Sequence, residues 1–190
     1  MACYHSETCA VISEVNVDAA TSRAAIEFTN VGAALRDLAG YRIEAAGAMY
    51  SLPGGATARI APAGTLVVRW NTPVAGCPPT DVCTGVFTPS SMIVQATGSI
   101  ALFAATGALD ASTIRDYVEW GTSGQPNEAN AATASEWTAG TACSVSMWVA
   151  GATDSLAWTG ASSMSTNDAV ANWCIQPASL GVVNLPTGCL

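Results

Sequence analysis

At 190 residues the chain is long enough for one sizeable domain that buries roughly 70% of its unfolded surface; half of it is hydrophobic and only 11% is charged. Six arginines, no lysine and a net charge of −8 set the overall field against polyanions and exclude nucleic acid as an expected partner. Gly, Ser, Thr and Pro interrupt every apolar run, so no stretch approaches the ~20 continuous apolar residues that span a bilayer.

The dominant period along the chain is two rather than 3.6. In order, CAVISEVNV (9–17), AAIEFTN (24–30), GYRIEAA (40–46), TLVVRWN (65–71), SIALFAA (99–105) and TIRDYVEWG (113–121) read as strands, being β-branched or aromatic and bounded by turn residues. PGG (53–55) and PAG (62–64) are turn sequences, and ATGALD (105–110) joins its two flanking runs as a hairpin. Helical signals are nearly absent. Many short strands with Gly/Pro turns predict an all-β sandwich or barrel. From about residue 122 the composition shifts to Gly, Ala, Ser, Asn and Thr, with only VSMWV (145–149) and SLAW (155–158) as strand candidates. Trp137, Trp148, Trp158 and Trp173 are costly to leave in water, so this part is expected to be ordered and pinned to the sandwich, with Trp70 and Trp120 in the sheets. The expected organisation is a tail over 1–8, a sandwich over 9–121, and a loop-rich, disulfide-stapled segment over 122–190 packed on the same domain.

Seven cysteines accompany one histidine, His5, which leaves little for a Cys/His zinc site. Cys77 and Cys83 bracket the tight, Pro-rich loop GCPPTDVC, so a staple is expected there. Cys143 with Cys174, in the Trp-rich last quarter, and Cys9 with Cys189, near the two ends, are the natural remaining pairs among many combinations. Cys3 is the odd one. It is open whether it stays free, pairs between chains, displaces Cys9 as the partner of Cys189, or carries a lipid anchor. All of these place the protein outside the cytoplasm, secreted or at the cell surface. MACYHSETCA has neither the charged nor the apolar region of a signal peptide, so a leader is expected to have been removed or replaced.

The order of the motifs is informative. VISEVNV, IEFTNVG, LRDLAGYRIE, YSLPGG with ARIAPAGTLVVRW, and GSIALFAATGALDASTIRDYVEWG follow one another. Together they resemble the lamin-tail domain in its bacterial, secreted form. The matching positions are Ile12, Glu14 and Val15; Ile26, Glu27, Phe28 and Asn30; Asp37, Leu38, Gly40 and Tyr41; Gly64, Leu66 and Val67; and Gly107, Asp116, Val118 and Gly121. The closing segment is similar too, through Ser155, Leu156, Trp173, Pro177, Gly181 and Asn184, with Trp158 where relatives usually carry arginine. The resemblance covers about residues 9–184 and implies an immunoglobulin-like β-sandwich. It also implies an interaction module, found in bacteria on secreted or surface proteins and in lamins binding proteins and DNA; the basic surface that DNA binding uses is missing here. No activity follows from such a scaffold.

Catalysis is therefore sought in the residues themselves. Ser or Cys nucleophiles need a base, and His5 sits in a cysteine-flanked tail. Glu14 and Glu27 would face each other if their strands are neighbours, which is the geometry of a carboxylate pair. The stronger expectation is that both are fold residues, facing solvent or bonding nearby backbone or an arginine such as Arg42. For metals, Asp110, Asp116, Asp154 and Asp168, with Asn167, are weak calcium candidates, since no D-x-D-x-D-G loop exists; no cofactor motif is present. Exposed tryptophans would suit a sugar-binding face. The expected function is a non-catalytic extracellular or cell-surface structural or interaction protein that associates with itself, in a filament or surface assembly, or with other surface proteins. A monomeric carbohydrate- or ligand-binding adhesion module is the alternative.

Overall fold

In the computed structural model of the protein the described residues are 9–17, 24–69, 74–85, 96–148, 154–159, 168–182 and 184. His5, Trp70, Cys3, Cys189 and Asn167 lie outside them. The strands are β1 (Ala10–Asn16), β2 (Ala25–Asn30), β3 (Arg36–Asp37), β4 (Arg42–Ala45), β5 (Ala48–Ser51), β6 (Arg59–Ile60), β7 (Thr65–Arg69), β8 (Val82–Cys83), β9 (Gly98–Phe103), β10 (Ile114–Trp120), β11 (Asp154–Trp158) and β12 (Trp173–Pro177), with one helix, α1 (Glu128–Ala134). The fold is all-β with several sheets, and each of the six main strand segments expected from the alternation contains a strand. The hairpin at residues 105–110 joins β9 to β10 as expected.

A six-stranded sheet runs β12-β11-β1-β2-β7-β8 and a four-stranded one β10-β9-β4-β5, while β3 and β6 form a small ribbon. One hydrophobic core takes Ile12, Ile26 and Phe28 from the first sheet and Ile43, Ile100 and Tyr117 from the second. Val68↔Val82 and Arg69↔Cys83 pair in parallel, and the Cys77–Cys83 disulfide closes the loop that carries β8. That is the staple expected from GCPPTDVC.

Residues beyond 121 do more than lie on the sandwich. β11 pairs with β1 through Glu14↔Ala157 and Val15↔Leu156, and β12 pairs along the whole of β11. SLAW is thus a strand, but VSMWV is not: residues 146–147 turn, and the nearest ladder contact is an isolated bridge from Cys143 to Trp120. The helix α1 was not signalled by capping. Asn127 precedes it and Ser135 follows it, both in left-handed conformation, with no side-chain cap; its alanines supply the propensity. Ala131 is buried, and the turn beyond the helix brings Trp137 edge-on to Tyr117, with ring centroids 5.8 Å apart. Trp120 and Trp148 pack at 6.3 Å. All the described tryptophans, Trp120, Trp137, Trp148, Trp158 and Trp173, are buried in the one core, so they pin the C-terminal part and none forms an exposed sugar platform.

The expected Cys143–Cys174 disulfide is not formed. Cys143 is a buried free thiol held against the end of β10 in the four-stranded sheet, whereas Cys174 sits in β12 on the other sheet. Cys174 and Cys9 are each disulfide-bonded, to partners outside the described residues, and the expected Cys9–Cys189 pair falls there as well. Burial pushes the Cys143 thiol well above its ordinary range. Alkylation of native protein is therefore expected to leave Cys143 unmodified, with labelling at that position appearing only on unfolding, as read by peptide mass spectrometry.

Asn30, at the end of β2, is buried and saturated. Its Nδ2 donates to the carbonyls of Ala34 (2.8 Å) and Ile60 (2.9 Å), and its Oδ1 accepts from Gly32 N (2.9 Å). These bonds organise the turn after β2 and bind it to β6. Asn30→Ala should leave the three backbone groups without partners and destabilise the protein by about 3 kcal/mol, measured by denaturant unfolding.

Candidate functional site

The carboxylates are the chemistry-bearing groups of this chain, and burial separates them into two kinds. The buried acids among the described residues are Glu14, Glu27, Glu44, Asp116, Glu119 and Glu136.

Glu14 and Glu27 are directly opposite on β1 and β2, just past an irregularity in the ladder between Ile12 and Glu14. Alternation places them on the face away from Ile26 and Phe28. That face is not open to water, which corrects the expectation of solvent-facing side chains. Ser179, Gly181 and Asn184 cover it: Glu14 accepts from Ser179 N (2.9 Å) and lies 2.8 Å from Ser179 Oγ. Glu27 accepts from Gly181 N (2.7 Å) and from Ser13 Oγ (2.7 Å), and Asn184 Nδ2 donates to the Ser13 carbonyl (2.6 Å). Arg42, the expected ionic partner, is elsewhere, donating to the carbonyls of Ala104, Gly107 and Thr106 at 2.9, 2.9 and 3.1 Å. Gly181 and Asn184, matched in sequence only as a closing motif, are thus the residues that shut the chain over the two acids.

Ser179 Oγ is 2.8 Å from Glu14 Oε2 and 2.5 Å from Asn184 Oδ1, and a hydroxyl has one proton to donate. That single proton can go to the Glu14 carboxylate or to the Asn184 amide oxygen, so Ser179 stands between the two acceptors and links the strand to the closing segment. Burial raises the Glu14 carboxyl, against hydrogen bonds from Ser155 and Ser179. It also pushes Glu27 up to about 8, with the Glu14 charge adding to the rise and the Ser13 and Gly181 hydrogen bonds opposing it. This pair is a clasp. Its hydrogen bonds with Ser179, Gly181 and Ser13 all run to the chain itself, two to each carboxylate.

Glu44 and Glu119 do the same work elsewhere. Glu44 accepts from Gly47 N (2.8 Å) and Asn127 Nδ2 (2.8 Å), while Glu119 accepts from Tyr117 Oη (2.9 Å) and Gln125 N (3.1 Å). Burial raises both carboxyls.

The weak calcium candidates scatter in part. Asp110 is in the β9–β10 hairpin, accepting from Ser112 N (2.9 Å) and Oγ (2.6 Å), bonds that hold its carboxyl below the usual range. Asp154 opens β11, its carbonyl accepting from Trp148 Nε1. Asp116 and Asp168 do come together, and Glu136, which sequence reading passed over, joins them: one oxygen of each lies within 4.8 Å of the others. Asp116 is fixed by the backbone N–H groups of Ile12 and Tyr117. Burial, with the charges of Asp116 and Asp168, pushes the Glu136 carboxyl up to about 9, opposed by Arg115. Only contiguity in space marks Glu136; nothing in SEW (135–137) distinguishes it.

A cleft of about 340 Å³ is lined by Ser144, Ser146, Met147, Val170, Trp173 and Ile175, among others, and its lining carries no titratable group, Cys174 at its wall being disulfide-bonded.

The clasp has a pH signature. Glu27 binds its proton more tightly when folded, so its contribution to stability is fully present below about pH 4.5 and is lost as pH rises through about 8. Melting temperature should fall from mildly acid to mildly alkaline pH. Glu27→Gln should flatten that slope while keeping the fold, as measured by thermal denaturation across pH; a parent protein most stable at alkaline pH contradicts this account.

No family model and no curated protein matches the chain.

Proposed function

We propose that this protein is a non-catalytic structural or interaction module of the extracytoplasmic space, an immunoglobulin-like sandwich of lamin-tail type that associates with copies of itself. The observation that carries the reading is the edge strand β5. It pairs with β4 on one side and ends the four-stranded sheet on the other. Its sequence AMYS has no charge, and Met49 is 46% exposed. Unpaired strand edges are templates for another chain.

The other sheet edges are guarded. The end of β10 is covered by residue 143, with Gly121 N donating to the Cys143 carbonyl (3.0 Å) and Cys143 N to the Glu119 carbonyl (2.9 Å). β12 ends on Pro177, which has no N–H to offer, and β8 is two residues long inside a stapled loop. Only β5 presents an edge with neither charge nor cover among the described residues.

Support for the compartment comes from the disulfides at Cys77–Cys83, Cys9 and Cys174, which persist in oxidising surroundings. No described helix is long and apolar enough to cross a membrane. A nucleic-acid partner is disfavoured by more than net charge. Arg42 and Arg115 are spent on backbone carbonyls, Arg36 donates to Cys9 Sγ (3.0 Å), and Arg59 and Arg69 pair with Asp37 and Asp81, so these arginines present no free phosphate-binding stripe. The buried carboxylates act as anchors for loops, which supports a scaffold over an enzyme.

Size-exclusion chromatography with light scattering, across a wide concentration range, should show the parent protein self-associating. Met49→Lys, which charges the free edge, should shift it to monomer with little change in melting temperature. A parent that stays monomeric at high concentration ends the self-association reading, and a natively exported protein with seven reduced thiols ends the assignment of compartment.

A further inference from the structure

Among the buried acids, Glu136 is the exception. Glu14, Glu27, Glu44, Asp116 and Glu119 each accept from backbone or side-chain donors. Glu136 is 4% exposed, and no hydrogen bond reaches its carboxylate from any described residue. It lies beside two further carboxylates, Asp116 and Asp168, whose charges outweigh the opposing charge of Arg115. A buried carboxylate without donors is costly, and two acids beside it increase the cost. A cation between the three removes it.

We propose that Asp116, Glu136 and Asp168 form a binding site for a hard divalent cation, with calcium preferred. Calcium binds oxygens at about 2.3–2.6 Å, so two ligands on one ion are separated by at most about 5 Å. The three oxygens lie within 4.8 Å of one another, which one ion can contact together. The donor set is all carboxylate, which suits calcium or magnesium over zinc or copper. Magnesium demands a near-ideal octahedron, whereas calcium accepts an irregular shell of six to eight oxygens completed by water and carbonyls. Asp116 can ligate in addition to accepting from Ile12 N and Tyr117 N, since a carboxylate has about four lone-pair sites.

The three ligands come from β10, from the turn after α1, and from the approach to β12. A bound ion would join the four-stranded sheet to the segment leading into the last strand of the six-stranded one. Its expected effect is stabilisation, independent of whether the protein self-associates.

Terbium substitutes for calcium at oxygen sites and is excited through a nearby indole, and Trp137 adjoins Glu136 in sequence. Full-length protein stripped with chelator should give tryptophan-sensitised terbium luminescence that calcium displaces, and calcium should raise its melting temperature. Glu136→Gln and Asp168→Asn should each weaken calcium binding at least tenfold, while Asp110→Asn should leave it unchanged. Glu136→Gln should melt no lower than the parent without metal, because it removes a buried acid that has no donor; should it fail to fold, the more exposed Asp168→Asn decides. The proposal is overturned if the parent gives no calcium-displaceable signal, or if the Asp168 or Glu136 variants bind calcium as the parent does.

Discussion

Two carboxylates stand opposite one another on the central strands β1 and β2, and the chain has closed over them instead of leaving them in water. Burying one carboxylate is expensive, and burying two side by side more so. The arrangement is tolerable only because Ser13, Ser179 and Gly181 donate to them. The outer face of the six-stranded sheet therefore depends on a segment more than 150 residues further along the chain. Remove that segment, and β1 and β2 present a pair of acids to solvent with a different charge state and a different neighbour.

The same device recurs on a smaller scale. Glu44 holds the β4–β5 turn and the start of α1; Glu119 holds the turn after β10; Asp116 ties β10 to the backbone of β1. Each acid accepts N–H groups that a loop would otherwise leave unsatisfied. A chain with few charges thus spends a large part of its acidic complement inside, on loop geometry, and its surface is left short of charged groups. That shortage is what leaves β5 without the lysines or acids that usually guard a free edge.

The strands were legible because alternation is a local property: Ile26 and Phe28 declare a buried face whatever lies around them. What covers the opposite face is not local, and so the sequence leaves Glu14 and Glu27 open between water, nearby backbone and an arginine; the backbone that binds them comes from the far end of the chain. β12 went unseen because WCIQP has no alternation of apolar and polar residues and ends in proline, and α1 because its Ala-rich sequence has no cap. Pairing Cys143 with Cys174 relied on nearness in sequence, which carries no information about which sheet each residue joins. Glu136 was invisible for the same reason, since its two acidic neighbours arrive from 20 residues before it and 32 after. The Cys77–Cys83 staple, by contrast, needed only a six-residue closure and was readable.

The position of β11 and β12 has a consequence for how the molecule is made. β1, near the start of the chain, has β2 on one side and β11 on the other, and the second neighbour is synthesised about 140 residues later. Until then one side of β1 is an open edge and both glutamates are uncovered, so the six-stranded sheet cannot be completed while the chain is still emerging. Pairings of such sequence separation are slow to close. The uncompleted sheet offers β1, rather than β5, as the site where two nascent molecules can exchange strands, so the time spent waiting for the last third of the chain is when misassembly is most open to it.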